Sequence, residues 1–225
     1  MIQIKNLSKS YGMNKVLDNI NITFDKGKIC GIVGVNGSGK TTLFRCIAGL
    51  ESYYGEVVSE RSPLKDYMGF LFTEPYFFSK ITGEEYIRLL CNARDVKVPD
   101  LIEKNIFDLD LNQYAATYST GEKKKLALLA ILLQDNQCFI LDEPFNGIDI
   151  HSSILLVDII KAIGKKGKSV IISSHIFSTL SSVCDEIYLL EDSHIIRKVL
   201  KEDFDKLEDE MKEFAIGDKI KRLGL

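Results

Sequence analysis

No stretch of this chain limits its possible folds as tightly as Gly34-Val35-Asn36-Gly37-Ser38-Gly39-Lys40-Thr41. It has the form G-x-x-x-x-G-K-[ST], it follows the apolar run Ile29-Cys30-Gly31-Ile32-Val33, and it opens a helix-patterned segment, Thr41 to Leu50. Ordinary usage of Gly, Lys, Ser and Thr produces such an octet in about one chain of this length in a hundred. The flanking strand and helix therefore carry as much weight as the octet itself. The physics accounts for each residue type. Glycines let successive backbone N–H groups turn inward around an anion, and the helix start adds the positive end of its dipole. Lys40 offers a point charge to outer phosphates, and the Thr41 hydroxyl can ligate Mg²⁺. Gly34, Asn36, Gly37, Ser38, Gly39 and Thr42 complete the cradle.

The rest of the chain patterns as an α/β fold. Ile2, Ile4 and Leu7, then Ile20, Ile22 and Phe24, alternate with polar residues as half-buried antiparallel strands do. Ile29–Val33 is instead continuously apolar, as is a strand buried on both faces. Cys138-Phe139-Ile140-Leu141 and Val170-Ile171-Ile172 repeat that character, after helix-patterned segments Lys123 to Leu133 and Ser153 to Ile163. Such spacing implies right-handed crossovers and a parallel sheet. Residues 74–120 pattern as a helical insertion. Residues 202–213 hold seven acids and two lysines, which reads as a solvated amphipathic tail. The expected organisation is a main domain over 1–200 and an acidic tail over 201–225.

Composition excludes several classes. Twenty-nine basic and 32 acidic side chains leave a net charge of −3, against a nucleic-acid partner. The longest apolar run, Leu126 to Leu133, is far short of the roughly 20 residues of a spanning helix. MIQIKNLSKS lacks the layout of an export signal, and neither an N-terminal Met-Gly nor a C-terminal Cys box is present. The five cysteines are scattered without a C-x-x-C pair, as expected of reduced, buried thiols in a cytoplasmic protein.

Leu141-Asp142-Glu143 puts two acids at the end of a buried strand, where open parallel sheets bind ligands. An Asp-Glu pair by itself is most often a solvated strand end. With the phosphate loop upstream it reads as the second half of a nucleotide site, Asp142 holding Mg²⁺ through water and Glu143 polarising the attacking water.

Taken together, these residues resemble the nucleotide-binding domain of ATP-binding cassette proteins, from Ile2 to about Leu200. Further motifs follow that family's order. Tyr11 lies 23 residues ahead of Gly34, at the place of an aromatic that stacks on adenine. Ser119-Thr120-Gly121-Glu122 stands at the family's signature, usually Leu-Ser-Gly-Gly-Gln, 23 residues before Asp142. Asp149, in Asn146-Gly147-Ile148-Asp149, matches the D-loop, and His175, after Ser173-Ser174, the switch histidine. Read without the family, Tyr11 is a surface or core aromatic, Asp149 a helix cap and His175 a strand-end histidine.

The resemblance implies a P-loop NTPase parallel core with an antiparallel β subdomain and a helical insertion. It implies that ATP and Mg²⁺ bind between two cassettes closing head-to-tail, one giving the phosphate loop and the other Ser119 and Gly121. Glu143 and His175 would then be catalytic, and Thr41, Asp142 and Thr73 would surround the metal. Thr73 takes the place of the family's glutamine, with Glu74 beside it, and the signature has lost its leucine, first glycine and glutamine. The leading expectation is the ATPase subunit of an exporter, peripheral on the inner face of the membrane through a separate transmembrane permease. A soluble non-transport cassette ATPase and a regulatory subunit with weak hydrolysis stay open. Phe70 to Phe78 is expected to couple ATP to the membrane partner, with Phe77 and Phe78 either core or docking rim.

Overall fold

The computed structural model describes residues 1–210. Its first two strands, β1 (Ile2–Tyr11) and β2 (Asn14–Phe24), pair antiparallel. Their apolar alternation slips by one residue at Ile4–Leu7 and again at Leu17–Ile20. Asn6 and Asn19 absorb the slips with left-handed φ of 51° and 50°, forming bulges in the ladder. Side chains across the hairpin take up the freed amides: Asn6 N donates to Asn21 Oδ1 and Asn19 N to Ser8 Oγ. The bulges keep Ile4, Leu7, Leu17 and Ile20 on one buried face. β4 (Tyr54–Ser59) pairs with the other edge of β1, completing a three-stranded antiparallel sheet.

The central sheet has six strands. β3 (Ile29–Val33) lies between β7 (Ser169–Ser174) and β8 (Glu186–Glu191), and the order is β5-β6-β7-β3-β8-β9. β5 (Met68–Leu71) and β6 (Cys138–Leu141) continue the parallel set, and β9 (His194–Leu200) closes it antiparallel. Alternate residues of β3 serve two cores. Cys30 and Ile32 face Leu43, Phe44, Cys46 and Ile47 of α1 (Lys40–Ile47), together with β1 and β2. Ile29 and Val33 join the core built by α4 (Thr120–Leu132), α5 (Ile150–Lys165) and α6 (Phe177–Ser181).

Helices α4 and α5 each begin three residues before their apolar pattern does, because caps extend them. Ser119 and Glu122 form a capping box on α4, and the Asp149 carboxylate accepts from Ser152 N on α5. Each such cap contributes about 1 kcal/mol. The 74–120 insertion holds less helix than its patterning predicts. α2 (Gly83–Asn92) is closed by the left-handed Asp95 and the nearby Pro99, and α3 (Leu101–Lys104) is a single turn. A 3₁₀ turn (Ala115–Thr117) precedes α4. The tail begins docked instead of solvated: Phe204 and Leu207 are buried, and the Phe204 ring meets Phe177 edge-on at 5.9 Å. The rest of the expected tail, 211–225, lies outside the described residues. All five cysteines are free and buried. No helix among the described residues is long and apolar enough to cross a membrane.

Candidate functional site

The loop 34–39 leaves β3 at the C-terminal edge of the parallel strands and enters α1 at Lys40. Gly39 has φ of +105°, and a Cβ there would sit 3.0 Å from Leu17 Cδ2 and Val16 O, so β2 presses on the loop where only glycine fits. Asn36 and Gly37 form its exposed tip, while Ser38, Thr41 and Thr42 are half-buried. Lys40 is buried and folds back over the loop, donating to Gly34 O at 2.7 Å and Val35 O at 3.1 Å. Ser38 Oγ is buried without a hydrogen-bond partner.

The acids following β6 meet that loop. Asp142, fully buried, accepts on Oδ2 from Thr41 Oγ1 and Thr73 Oγ1, both at 2.6 Å, and on Oδ1 from Ser173 Oγ at 2.7 Å. Three elements thus converge on one carboxylate: the start of α1, the end of β5 and the end of β7. Glu143 adopts a left-handed φ of 49°, a conformation costing about 1–3 kcal/mol that turns its side chain away from the strand direction. Its Oε2 lies 3.0 Å from His175 Nδ1, and its Oε1 lies 3.5 Å from Lys40 Nζ with no hydrogen bond of its own. The Oε2 contact orients the His175 ring against the Glu143 carboxylate. Oε1 is ion-paired but accepts no hydrogen bond, which leaves it the carboxylate oxygen able to receive a proton from a water at the phosphate loop.

Ser119, Gly121 and Asp149 form a second group. Ser119 Oγ donates to Glu122 Oε2 at 2.7 Å, and Ser119 holds the Glu122 carboxyl below its usual range. A Cβ on Gly121 would meet Gly147 O at 2.6 Å, so the start of α4 rests on the turn after Glu143. Asp149 binds Lys125 at 2.5 Å, which holds its carboxyl well below the usual range. No hydrogen bond among the described residues joins Ser119 or Gly121 to the phosphate loop. Tyr11 is exposed at the β1–β2 turn, with Lys9 Nζ 4.6 Å from its ring centroid and Glu51 paired to that lysine at 3.0 Å.

The family model for ABC transporters matches residues 17–146, which hold the phosphate loop, both acids and the signature. The chain belongs to the ABC transporter ATP-binding family. The cassette is 29% identical over 231 residues to the bacitracin transport ATP-binding protein BcrA of Enterococcus faecalis, covering 97% of this chain and 75% of the relative. It is 29% identical to the lantibiotic transport ATP-binding protein SrtF of Streptococcus pyogenes, over 93% of each. Among solved structures, the ATP-binding subunit of an ABC transporter superposes with a TM-score of 0.83 at 24% identity over 93% of each chain. A dimeric cassette in a post-hydrolysis state with ADP and Pi gives 0.80 at 20% identity, over 89% of this chain and 99% of that one.

Two site residues of the cassette escaped the sequence reading. Ser173 bridges the acids, donating to Asp142 and accepting from Glu143 N at 2.9 Å. A hydroxyl ending the otherwise apolar run Val170-Ile171-Ile172 is the signal for it. Lys124 is 2% exposed, yet it sits in the run Lys123-Lys124-Lys125, which looks solvated. Its place four residues before the buried Leu128 puts it on the core face of α4.

Proposed function

We propose that this cassette binds ATP with Mg²⁺, hydrolyses it, and drives an exporter whose membrane-spanning part is a separate polypeptide. One observation carries the ATPase reading: Glu143 stands between Lys40 and His175 beside the phosphate loop, its Oε1 ion-paired to Lys40 and accepting no hydrogen bond. In this reading the loop amides and Lys40 hold the β- and γ-phosphates, and Glu143, steadied by His175, takes the proton of the water that attacks the γ-phosphorus. Tyr11 offers its exposed ring to the base.

The oxygens of Thr41, Asp142 and Thr73 form a hard donor set that fits Mg²⁺, which is ordinarily held by one or two carboxylates plus phosphates and water. When bound there, Mg²⁺ neutralises charge on the phosphates. Among the described residues no group of three or more His, Cys, Asp and Glu could hold a metal ion, and in this reading phosphates would supply the remaining ligands.

The names of the relatives, transport proteins for bacitracin and for a lantibiotic, support a peptide antibiotic as cargo, and a groove supports the membrane partner. Phe70, Phe72, Tyr76, Phe78, Tyr86 and Leu90 line a depression of about 590 Å³ on the side of the molecule joining β5 to α2. Phe78 is 60% exposed and Phe77 only 7%, so the two expectations for this segment divide between adjacent residues. Phe77 is core, stacked edge-on with Tyr86 at 4.6 Å, and Tyr76 and Phe78 form the rim.

A second reading, weak turnover, is favoured by the signature. The Ser119 hydroxyl proton is already given to Glu122, so a partner's γ-phosphate would meet a carboxylate at the place of the family's neutral glutamine. The deciding experiment compares three proteins. Wild type turns over ATP, Lys40→Ala loses ATP-dependent thermal stabilisation, and Glu143→Gln keeps ATP and accumulates as a dimer by light scattering. Unchanged ATP affinity in Lys40→Ala defeats the assignment.

A further inference from the structure

Lys124 stands on the second turn of α4 with its ammonium buried, and Nζ donates to Glu143 O at 2.9 Å and Asn146 O at 2.8 Å. These two carbonyls bound a single turn, since Asn146 N itself donates to Glu143 O at 3.2 Å. Two further contacts tie the same segment to the same helix start: Gly121 against Gly147 O, and Lys125 to Asp149. Burying an ammonium costs several kcal/mol unless its hydrogens are satisfied and opposite charge is near. Two of the three ammonium hydrogens are taken by the Glu143 and Asn146 carbonyls, and carboxylates lie near enough to offset part of the cost. Burial lowers the pKa of Lys124, and the carboxylates of Glu143, Asp142 and Glu74 oppose that shift. A left-handed glutamate persists only where its surroundings over-determine it. Ser173 fixes the Glu143 amide and Lys124 fixes its carbonyl, so the peptide units on both sides of the residue are held.

We propose that Lys124 is a positioning residue for ATP hydrolysis: it clamps the Glu143–Asn146 turn so that the Glu143 carboxylate stays between Lys40 and His175, and it makes that turn one body with the helix start bearing Ser119 and Gly121. The proposal rests on the ATPase reading of the site. In this role Lys124 acts through the backbone of the Glu143–Asn146 turn, which it holds at both ends. Any displacement of the start of α4 is then delivered to Glu143 as a rigid shift, and a shift of about 1 Å at a reacting group can cost a hundredfold in rate.

Lys124→Met keeps the length and removes charge and donors; Lys124→Gln keeps a neutral donor. Both are compared with wild type for equilibrium ATP affinity, kcat and KM, melting temperature, and amide exchange across residues 143–149 without nucleotide. The expected result for Lys124→Met is ATP affinity within about twofold, kcat lower by roughly tenfold to a hundredfold, and faster exchange confined to 143–149. Lys124→Gln recovers part of the loss. Unchanged kcat in a folded Lys124→Met overturns the proposal, as does a parallel fall of ATP affinity and kcat with general loss of exchange protection, which marks a merely structural lysine. If the Met variant does not fold, the Gln variant is judged by the same criteria. A wild-type chain that binds ATP without turnover overturns the ATPase reading itself, and the positioning role with it.

Discussion

At the scale of single residues, the site depends on one serine that carries no charge. Ser173 Oγ donates to Asp142 and accepts from Glu143 N, so both acids are oriented by the same oxygen. Ser173→Ala removes the partner of Asp142 Oδ1 and of Glu143 N, at about 1–3 kcal/mol for the orphaned amide and less for a carboxylate that keeps Thr41 and Thr73. We expect lower melting temperature together with a kcat decrease exceeding any change in KM, measured by steady-state ATPase assay. The opposite outcome is expected at Glu122. Its carboxylate holds the Ser119 hydroxyl, and Glu122→Gln removes the negative charge while keeping the cap. Turnover should rise several-fold, with melting temperature nearly unchanged; equal or lower turnover removes the case for a restrained signature. Lys40, Asp142 and Glu143 were legible in the sequence because their types and spacing follow from phosphate chemistry. Ser173 and Lys124 were not, because a serine ending a strand and a lysine among lysines have common uses that only tertiary contacts distinguish.

At the scale of elements, the caps decide where helices begin and so where site residues stand. Asp149 caps α5 and is bound by Lys125 of α4, which holds its carboxyl well below the ordinary range. Because the folded pKa is depressed, the stabilisation is present above the unfolded value near 3.8 and fades as pH falls below it. Asp149→Ala should therefore melt lower than wild type at neutral pH, with the difference shrinking toward pH 2 in a calorimetric series. A constant difference across that range rules out the carboxylate as its source. β3, β6 and β7 were legible as apolar runs, and their parallel direction followed from alternation with helices, whereas β5 and β8 carry no such run in the sequence reading. The bulges at Asn6 and Asn19 were visible only as spacing of three where two was due. The irregular chain between α2 and α4 carries helical patterning because its apolar residues pack on α4, and that burial does not require them to be helical.

At the scale of the whole molecule, the groove between β5 and α2 is the surface proposed for the membrane partner. Tyr76→Ser with Phe78→Ser changes exposed rings and spares the buried Phe77. Melting temperature and ATPase activity of the isolated cassette should be retained while co-purification with a co-expressed membrane subunit is lost; retained co-purification places the coupling surface elsewhere. The two cores also give the molecule an internal chemical record of its breathing. Cys30, Cys46 and Cys138 lie in the core shared by α1 and the antiparallel sheet, and Cys91 and Cys184 in the core under α4 and α5. Burial raises every one of these thiols, Cys46 to about 11 and Cys138 to about 12, so none is reactive while its layer stays closed. Alkylation by a maleimide, read cysteine by cysteine by mass spectrometry, thus clocks the opening of each layer separately, without a single engineered label.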